Sequence, residues 1–526
     1  MTRVPDPSVF TGRLSRRRVL GLLGAGCAGL ATAACVDTSD TGQEGAAPSP
    51  SKGGSAASRI RIPDAKVDLP TGKVELRWMD SGDMKARFFE AFFAEYEKKR
   101  PNISVRYDGT NWNQITQVVT LGVRNGTAPD VFQLPGQITM GMAVSNDWIG
   151  AYDDIIPDFA AVKARYPAGA FAAGVTDFGG KTYALPLTGQ ARINNLLLFN
   201  QDLVKDLDVD LNAEILSWPQ LRDVAKQITK QGKGRYYGII FGLAQPGGLS
   251  GPVNAMCEMA GVHGGADGID LRTGTYNVTN PIVIEAIELM LAIRSDGSAH
   301  PDSVNLDAPG ARARMPQGQA GIMMQGPWNI VPWREENPEF HLGLNLPPQR
   351  DHDDVWPLTY GPGGSNSYVF SSKSTLGSVI ADVMSYLSTV EGQVQWGLRN
   401  GAADPPQFPQ AVAKLELDEL QQKALELGAD HTVLRPEAAV RNPDVTKVYE
   451  SQVPAQPGFS DTLVGLYTGR IKGSVEHAMR GLNDRLEKSL EDAIKKARSR
   501  GAEVDRDDWV FADWDPRQAY TTLYEK

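Results

Sequence analysis

Residues 74–109, VELRWMDSGDMKARFFEAFFAEYEKKRPNISVRYDG, decide the fold class. Alternating apolar side chains from Val74 to Trp78 predict a strand that stops at Ser81-Gly82-Asp83. Aromatic residues then recur at four-residue spacing, which predicts an amphipathic helix ending at Pro101, and alternation resumes from Ile103 to Tyr107. Two strands joined through one helix form a right-handed crossover unit, so we expect an α/β protein with parallel strands.

The same alternation of strand and helix patterns continues along the chain, and no repeat of 20 to 50 residues stands out. Further strands are predicted at 130–132, 195–200 and 237–241, and further helices at 112–124, 218–229, 281–294, 381–399 and 475–494.

Composition bounds the class of protein before any motif is considered. The 526 residues are 41% apolar and 22% charged, which excludes a disordered or fibrous chain. The first 34 residues carry a net charge of +4, so the remainder carries −14 against −10 for the whole chain. Because phosphate neutralisation needs clustered Lys and Arg, this acidic balance argues against a nucleic-acid binder.

The amino-terminal segment reads as an export signal over residues 1–34. Ser15-Arg16-Arg17-Arg18 precedes an uncharged run from Val19 to Ala34, which is too short to span a bilayer of about 30 Å. The small residues before Cys35 resemble a lipoprotein cleavage site in a twin-arginine leader, although Thr32 stands where Leu is usual. We therefore predict acylation of Cys35 and attachment to the lipid bilayer; the alternative is that Cys35 is an unmodified thiol.

Residues 35–70 are predicted to form a flexible tether. From Cys35 to Ser58 the composition shifts to Asp, Thr, Ser, Gly, Ala and Pro without a periodic apolar pattern. A lipid, a tether and an acidic globular part together predict a protein held on the outer face of the cell membrane, outside the cytoplasm.

Several short motifs carry a resemblance to a known family. In chain order they are Pro101-Asn102-Ile103-Ser104-Val105, Gly126-Thr127-Ala128-Pro129-Asp130-Val131, Leu197-Leu198-Phe199-Asn200-Gln201-Asp202, Gly318-Gln319-Ala320-Gly321-Ile322-Met323-Met324, Gly326-Pro327-Trp328, Leu387-Ser388 with Glu391-Gly392, and Arg435-Pro436. Each is weak alone, but their order and spacing behind a lipoprotein leader resemble the extracellular solute-binding proteins of ABC importers, the family that includes maltodextrin-binding proteins. The tail beyond about Gly501 extends past that family's usual last helix.

The resemblance implies a two-lobe, type II periplasmic-binding-protein-like α/β fold. Each lobe would be a mostly parallel sheet flanked by helices, with the ligand cleft between the lobes. The implied lobe I comprises residues 71–189 and 365–432, and lobe II comprises 190–364 and 433–526. The implied function is capture of a sugar or oligosaccharide by hinge closure and delivery to the importer's transmembrane subunits, by a monomer that needs no cofactor.

Loops that follow strands are where binding residues are expected in such sheets. The Asp83 carboxylate can accept hydrogen bonds from sugar hydroxyls, and Gly82 has no side chain to keep the backbone away from the ligand. The alternative is that Asp83 only caps the following helix. Trp328 offers an indole plane to the apolar face of a pyranose, the alternative being a core residue. The other candidates, each as easily a plain loop residue, are Trp112, Gln133, Gln137, Arg192, Asn194 and Gln245.

Two other classes of function compete with solute capture. An exported carbohydrate-active hydrolase would need paired carboxylates or a nucleophile with its base, and no such local motif occurs. We predict no catalytic and no metal-binding residues, since Asp351-His352-Asp353-Asp354 reads as a solvated loop and Asp267 to Asp270 as a turn. A cell-envelope lipoprotein that binds a wall component or a protein is the third possibility.

Overall fold

The computed structural model describes residues 59–189, 192–351 and 354–524. The chain divides into two units, Met1–Gly54 and Ser55–Lys526, and the features below belong to the second. The predicted signal peptide and the lipidation site Cys35 lie outside the described residues. Within the described part, none of the helices combines the length and the apolar character needed to cross a bilayer.

Fifteen strands are present in the described part of the chain. They are β1 (Val74–Asp80), β2 (Ile103–Gly109), β3 (Val131–Phe132), β4 (Asp177–Phe178), β5 (Lys181–Thr182), β6 (Leu185–Thr188), β7 (Leu196–Asn200), β8 (Tyr237–Ile239), β9 (Ile269–Asp270), β10 (Thr275–Tyr276), β11 (Ala320–Gln325), β12 (Leu342–Asn345), β13 (Leu358–Tyr360), β14 (Ser365–Phe370) and β15 (Thr432–Leu434).

Two sheets form the centres of two lobes, as the α/β prediction requires. Lobe I is built on the order β2-β1-β3-β14-β6 and lobe II on β12-β7-β11-β8. β1 pairs in parallel with β2 and β3, whereas β14 is antiparallel to both β3 and β6. In lobe II only β8 and β11 pair in parallel, and β7 runs against β11 and β12. Each sheet is thus mixed, with one strand opposed to the rest.

Eighteen α-helices surround these sheets in the described residues. They are α1 (Met84–Lys99), α2 (Trp112–Asn125), α3 (Met140–Ser145), α4 (Phe159–Lys163), α5 (Gln201–Val204), α6 (Trp218–Gly232), α7 (Ser250–Met259), α8 (Pro281–Ser295), α9 (Ala308–Arg312), α10 (Ile330–Glu336), α11 (Gly377–Leu387), α12 (Val390–Arg399), α13 (Pro409–Val412), α14 (Glu419–His431), α15 (Ala438–Arg441), α16 (Val445–Ser451), α17 (Phe459–Thr468) and α18 (Val475–Ser499).

The opening unit forms because its aromatic stripe faces the sheet. Phe88, Phe89 and Phe92 on α1 are all fully buried, and the Phe89 and Trp78 rings lie 4.8 Å apart between centroids. Aromatic side chains supply much of the apolar area that a lobe of this size must bury. The packing of α1 on the sheet therefore fixes the position of the loop that joins β1 to α1.

The single helix predicted at 381–399 is wrong, because the structure has two helices there. α11 ends at Leu387 and α12 begins at Val390, with Thr389 as N-cap. The Thr389 hydroxyl accepts a hydrogen bond from the Gly392 backbone N–H at 3.0 Å. In an uninterrupted helix this N–H would instead bond a backbone carbonyl of the preceding turn. The apolar spacing continues across the break, so periodicity alone did not reveal it.

The predicted tether is too long at its carboxyl end. Ile60 is 3% exposed, and Ile62, Val67 and Leu69 pack against the lobe I core. Burial of apolar side chains at these four positions stabilises their contact with the core, so this part of the predicted tether belongs to lobe I.

The lobe boundaries also differ from the predicted ones in the carboxyl-terminal half. Helix α14 was assigned to lobe I, but Leu420, Ala424 and Leu427 pack on the lobe II core beside β12. The segment 433–526 was assigned to lobe II, yet it contacts both lobes. Helix α18 packs on α8 of lobe II, whereas α16 packs on α3 of lobe I.

The carboxyl-terminal tail forms a core with α15, α16 and α18. Trp509, Phe511 and Trp514 are almost completely buried there. The tail then runs to the two-stranded β13–β15 sheet, where the Tyr520 N–H donates to the Leu434 carbonyl at 2.8 Å. The extension is therefore an integral part of the fold.

We expect Phe511→Ala to lower the free energy of unfolding by about 3–5 kcal/mol, because it empties a buried aromatic site. Urea unfolding followed by circular dichroism measures the change. Val453→Ala, at a position 71% exposed, is the control and should change stability by less than about 0.5 kcal/mol. Equal stability of the two variants would show that the tail contributes nothing to the folded core.

Candidate functional site

A cavity of about 390 Å³ lies between the two lobes. It opens where β1 and β2 of lobe I and β11 of lobe II end, which is the edge where open α/β sheets bind ligands. The lining residues are Ser81, Gly82, Asp83, Met84, Lys85, Gly109, Thr110, Asn111, Trp112, Arg192, Gln245, Ala308, Pro309, Arg312, Gln325, Trp328, Asn366 and Asp404.

The floor of the cavity on the lobe I side rests on the buried carboxylate of Asp80. Its Oδ1 accepts from the Gly82 N–H and the Tyr107 hydroxyl, both at 2.8 Å, and its Oδ2 accepts from the Tyr368 hydroxyl at 2.8 Å. Burial, reinforced by the Asp80 charge, raises the pKa of both tyrosines well above the usual range, so both stay protonated donors.

Gly82 is required by the geometry of this loop. Its φ is +60°, and a Cβ there would lie 3.1 Å from the Gly109 backbone, so a larger residue would be both strained and crowded. The β1 and β2 loops therefore approach each other closely and place backbone at the cavity wall.

Asp83 faces lobe II rather than capping its own helix. It occupies the N-cap position of α1 with φ 55°, but its side chain makes no cap hydrogen bond. Both carboxylate oxygens instead accept from Arg312 Nη2, at 2.9 and 3.2 Å. Of the two alternatives considered for Asp83, the structure has the carboxylate directed across the cleft.

Trp328 forms an aromatic wall of the cavity on the lobe II side. It follows β11 through Gly326, where a Cβ would collide with the indole, so glycine is needed for this ring position. The indole N–H donates to Gln325 Oε1 at 3.1 Å, and the Arg192 guanidinium lies 5.3 Å from the ring centroid. The ring is half-buried and oriented by its neighbours rather than sealed in a core.

Arg192 lies at the base of the cavity, on the first chain segment that crosses from lobe I to lobe II. Its guanidinium forms an ion pair with Asp404, and its Nε donates to Asn194 Oδ1 at 2.9 Å. The Asn366 amide, at the start of β14, also donates to Asp404, at 2.6 Å. Burial lowers the pKa of Arg192 to about 10, so the guanidinium remains charged at neutral pH.

Six of the nine candidate ligand-binding residues line this cavity, namely Gly82, Asp83, Trp112, Arg192, Gln245 and Trp328. Gln133 lies beneath the lining, where its Oε1 accepts from the Ser81 N–H at 3.1 Å and its amide donates to Asn366 at 3.2 Å. Gln137 is exposed and its Oε1 accepts from the Thr116 hydroxyl at 3.4 Å, away from the lining. Asn194 lines a neighbouring cavity instead.

The polar lining residues that were not among the candidates include Lys85, Arg312, Asn366 and Asp404. Lys85 is the second residue of α1 and directly follows the loop at the end of β1, so the strand-end rule could have identified it. The other three reach the cavity from distant parts of the chain, and no local pattern marks them.

The neighbouring cavity has a volume of about 450 Å³ and shares Arg192 with the first. Glu258 on α7 is half-buried in its wall, where its two oxygens accept from the N–H and hydroxyl of Thr359 at 3.0 and 3.1 Å. Burial raises the pKa of Glu258 to about 7, although both hydrogen bonds favour the charged form.

Comparison with known proteins identifies the family. Residues 82–394, more than half of the chain, match the bacterial extracellular solute-binding protein family, and the chain belongs to that family. A Brucella abortus (strain 2308) protein named as a binding protein is 24% identical over 273 residues, which cover 52% of this chain and 62% of the relative. A Streptomyces antibioticus lipoprotein in the oleD 5′ region is 24% identical over 256 residues, covering 45% of this chain and 53% of the relative. The match thus spans less than two thirds of the length of each relative.

Solved structures share the two-lobe fold. The GacH receptor of Streptomyces glaucescens, solved unliganded and with acarbose, has a TM-score of 0.56 at 17% identity, covering 80% of this chain and 98% of that one. The maltose/maltodextrin-binding domain MalE of Bdellovibrio bacteriovorus, bound to maltotriose, has a TM-score of 0.57 at 14% identity, covering 80% of this chain and 100% of that one. An ABC transporter solute-binding protein of Thermotoga lettingae, bound to α-D-tagatose, has a TM-score of 0.59 at 17% identity, covering 79% of this chain and 99% of that one. The predicted type II two-lobe fold is confirmed.

We expect Glu258 to make the folded protein less stable as the pH rises from 5 to 8. The folded pKa near 7 exceeds the usual value near 4.5, so the folded state holds the extra proton in this window and stability falls with pH. Relative to Glu258→Gln, the unmodified protein should lose up to about 3 kcal/mol of unfolding free energy. Urea unfolding at both pH values measures this difference.

The exposed Glu416 offers a matched control for this experiment. Glu416→Gln should follow the unmodified protein across the same pH range, because its carboxylate remains in water. A difference between Glu258→Gln and the unmodified protein that does not change with pH would contradict the prediction.

Proposed function

We propose that this protein is the substrate-binding lipoprotein of an ABC importer and captures a sugar or oligosaccharide in the cavity between its lobes. The observation that carries the proposal is the pairing of a half-buried indole, Trp328, with converging polar side chains at the same strand ends. An indole plane covers the apolar C–H face of a pyranose, while hydrogen-bonding groups around it select the hydroxyls. The sugars bound by the structural neighbours support the same ligand class.

Hinge closure is the proposed working step. Asp83 and Arg87 stand on lobe I and pair with Arg312 and Glu335 on lobe II, so each ion pair joins the lobes across the cleft. A ligand that touches both walls stabilises the closed arrangement more than an open one, and binding shifts the population towards closure. The transmembrane subunits then recognise the closed shape.

The proposed location is the outer face of the cell membrane. The twin-arginine leader would direct export, and acylated Cys35 would anchor a monomer by residues 35–58. The family's extracellular character supports the location, and the lipoprotein name of the Streptomyces antibioticus relative supports the anchor.

Binding without catalysis fits the carboxylates of the cavity better than hydrolysis does. Asp83 is held in an ion pair by Arg312 and Asp404 by Arg192, so neither carboxylate is free to serve as the paired acid or nucleophile that glycoside hydrolysis needs. We therefore propose that the protein releases its ligand unchanged.

We expect Trp328→Ala to weaken sugar binding by about 30-fold or more, equivalent to about 2 kcal/mol, because the stacking surface is lost. Calorimetric titration with acarbose, maltotriose and tagatose, followed by a wider glycan panel, identifies the ligand and measures the change. Trp148→Phe, on a half-buried ring outside the cavity, is the control and should stay within about twofold. Unchanged affinity in Trp328→Ala would remove the main support for the proposal.

We also expect the bound sugar to compact the protein. Small-angle X-ray scattering should show a smaller radius of gyration at saturation, because the lobes close on the ligand. Trp328→Ala at the same sugar concentration should keep the larger radius. A radius that stays constant while calorimetry reports saturation would argue against hinge closure.

A further inference from the structure

Lys85 is a buried cation in the cavity wall without a bonded partner. Its side chain is on the first turn of α1, it is 7% exposed, and it lines the cavity between the lobes. Across residues 59–189, 192–351 and 354–524, the ammonium group forms no hydrogen bond or ion pair. A buried charge without such a partner is costly, so the position calls for an acceptor that the protein itself does not supply.

The nearby carboxylates are already engaged by other donors. Asp80 accepts from two tyrosine hydroxyls and the Gly82 N–H, and Asp83 accepts twice from Arg312. Asp80 and Asp83 act on Lys85 only through space: they raise its pKa, while burial, the larger effect, lowers it. The acceptor that hydrogen-bonds the Lys85 ammonium group must therefore come from a ligand that enters the cavity.

Two further features favour an anionic acceptor in this part of the cavity. Helix α1 is 16 residues long, has no acidic residue in its first turn and receives no side-chain cap, so the partial positive charge of its amino terminus is directed at the cavity wall. Arg192 and Arg312 also line the cavity and are paired with Asp404 and Asp83, so among the described cationic lining residues Lys85 is the one without a bonded carboxylate.

We infer that the captured sugar carries an anionic group, a carboxylate or a phosphate, which binds Lys85 at the amino-terminal end of α1. This inference rests on the proposed function and specifies its substrate class. The anionic oxygens accept charge-assisted hydrogen bonds from the ammonium group, while the sugar ring lies against Trp328. Lys85 is then the residue that distinguishes an acidic sugar from its neutral counterpart.

Matched sugar pairs test this inference on the full chain. Calorimetric titrations compare galactose with galacturonate, glucose with glucuronate and glucose with glucose 6-phosphate, and inorganic phosphate serves as the anion alone. At least one acidic member should bind about tenfold tighter or more than its neutral partner, and the preference should shrink when sodium chloride is raised from 50 to 500 mM. The uronate and phosphate arms distinguish the two anionic groups.

Lys85→Met keeps the length of the side chain and removes the charge. It should reduce the preference for the acidic member to about twofold or less, and circular dichroism with urea unfolding shows whether the variant is folded. Lys98→Met, on the exposed end of the same helix, is the control and should retain the full preference. If Lys85→Met does not fold, the preference and salt dependence of the unmodified protein still decide the question.

The outcomes separate this inference from the proposed function. Neutral and acidic members binding equally well, or a preference that persists in Lys85→Met, overturns the acidic-sugar inference and leaves sugar capture standing. Inorganic phosphate binding as tightly as glucose 6-phosphate contradicts the role of the sugar ring. No binding by any probe or by the wider glycan panel overturns both proposals.

Discussion

The ion pair between Arg192 and Asp404 is the interaction on which the geometry of the cleft depends. Only 12% of the arginine side chain and 4% of the aspartate side chain is exposed, so neither charge can be satisfied by water. Removing one partner of such a pair leaves a buried charge unpaired and typically costs about 3–5 kcal/mol. The pair fixes the first crossing segment to lobe I, and Asn366 at the end of the second crossing bonds the same carboxylate. Two connections between the lobes thus meet at one buried anion.

Under the proposed hinge closure, this arrangement separates the hinge from the walls that would move. Arg192 lies at the base, where crossing segments meet, while the Asp83–Arg312 and Arg87–Glu335 pairs join opposite lobes. The latter pairs are more exposed, and exposed pairs each contribute about 1 kcal/mol or less. A ligand therefore competes with weak contacts across the cleft while the strong one at its base stays intact. Such a division suits a protein whose lobes must open and close repeatedly.

The sequence reveals the parts of this structure that rest on local patterns. The strand, helix and strand from Val74 to Gly109 follow from alternation and aromatic spacing. The rule that ligands meet strand ends led to Asp83, whereas the stacking surface of the indole and the family motif led to Trp328. Contacts between distant segments leave no such pattern. Asp404 lies 212 residues after its partner Arg192, and Arg312 lies 229 after Asp83, so neither pair could be predicted from spacing. The α11–α12 break was missed because the apolar period runs through it. The packing of Ile60 on the lobe I core was missed because a few isolated apolar residues give no period.

The surroundings of Trp328 limit how a sugar ring can use it. A Cβ at position 326 would collide with the ring, the indole N–H is engaged by Gln325, and Arg192 lies over the ring at 5.3 Å from its centroid. A guanidinium over an aromatic face is attracted by the ring quadrupole and occupies that face. A ligand that leaves the Arg192–Asp404 pair undisturbed must therefore stack on the other face. The residue that sets the base of the cleft thus also selects which side of the indole would receive the proposed sugar.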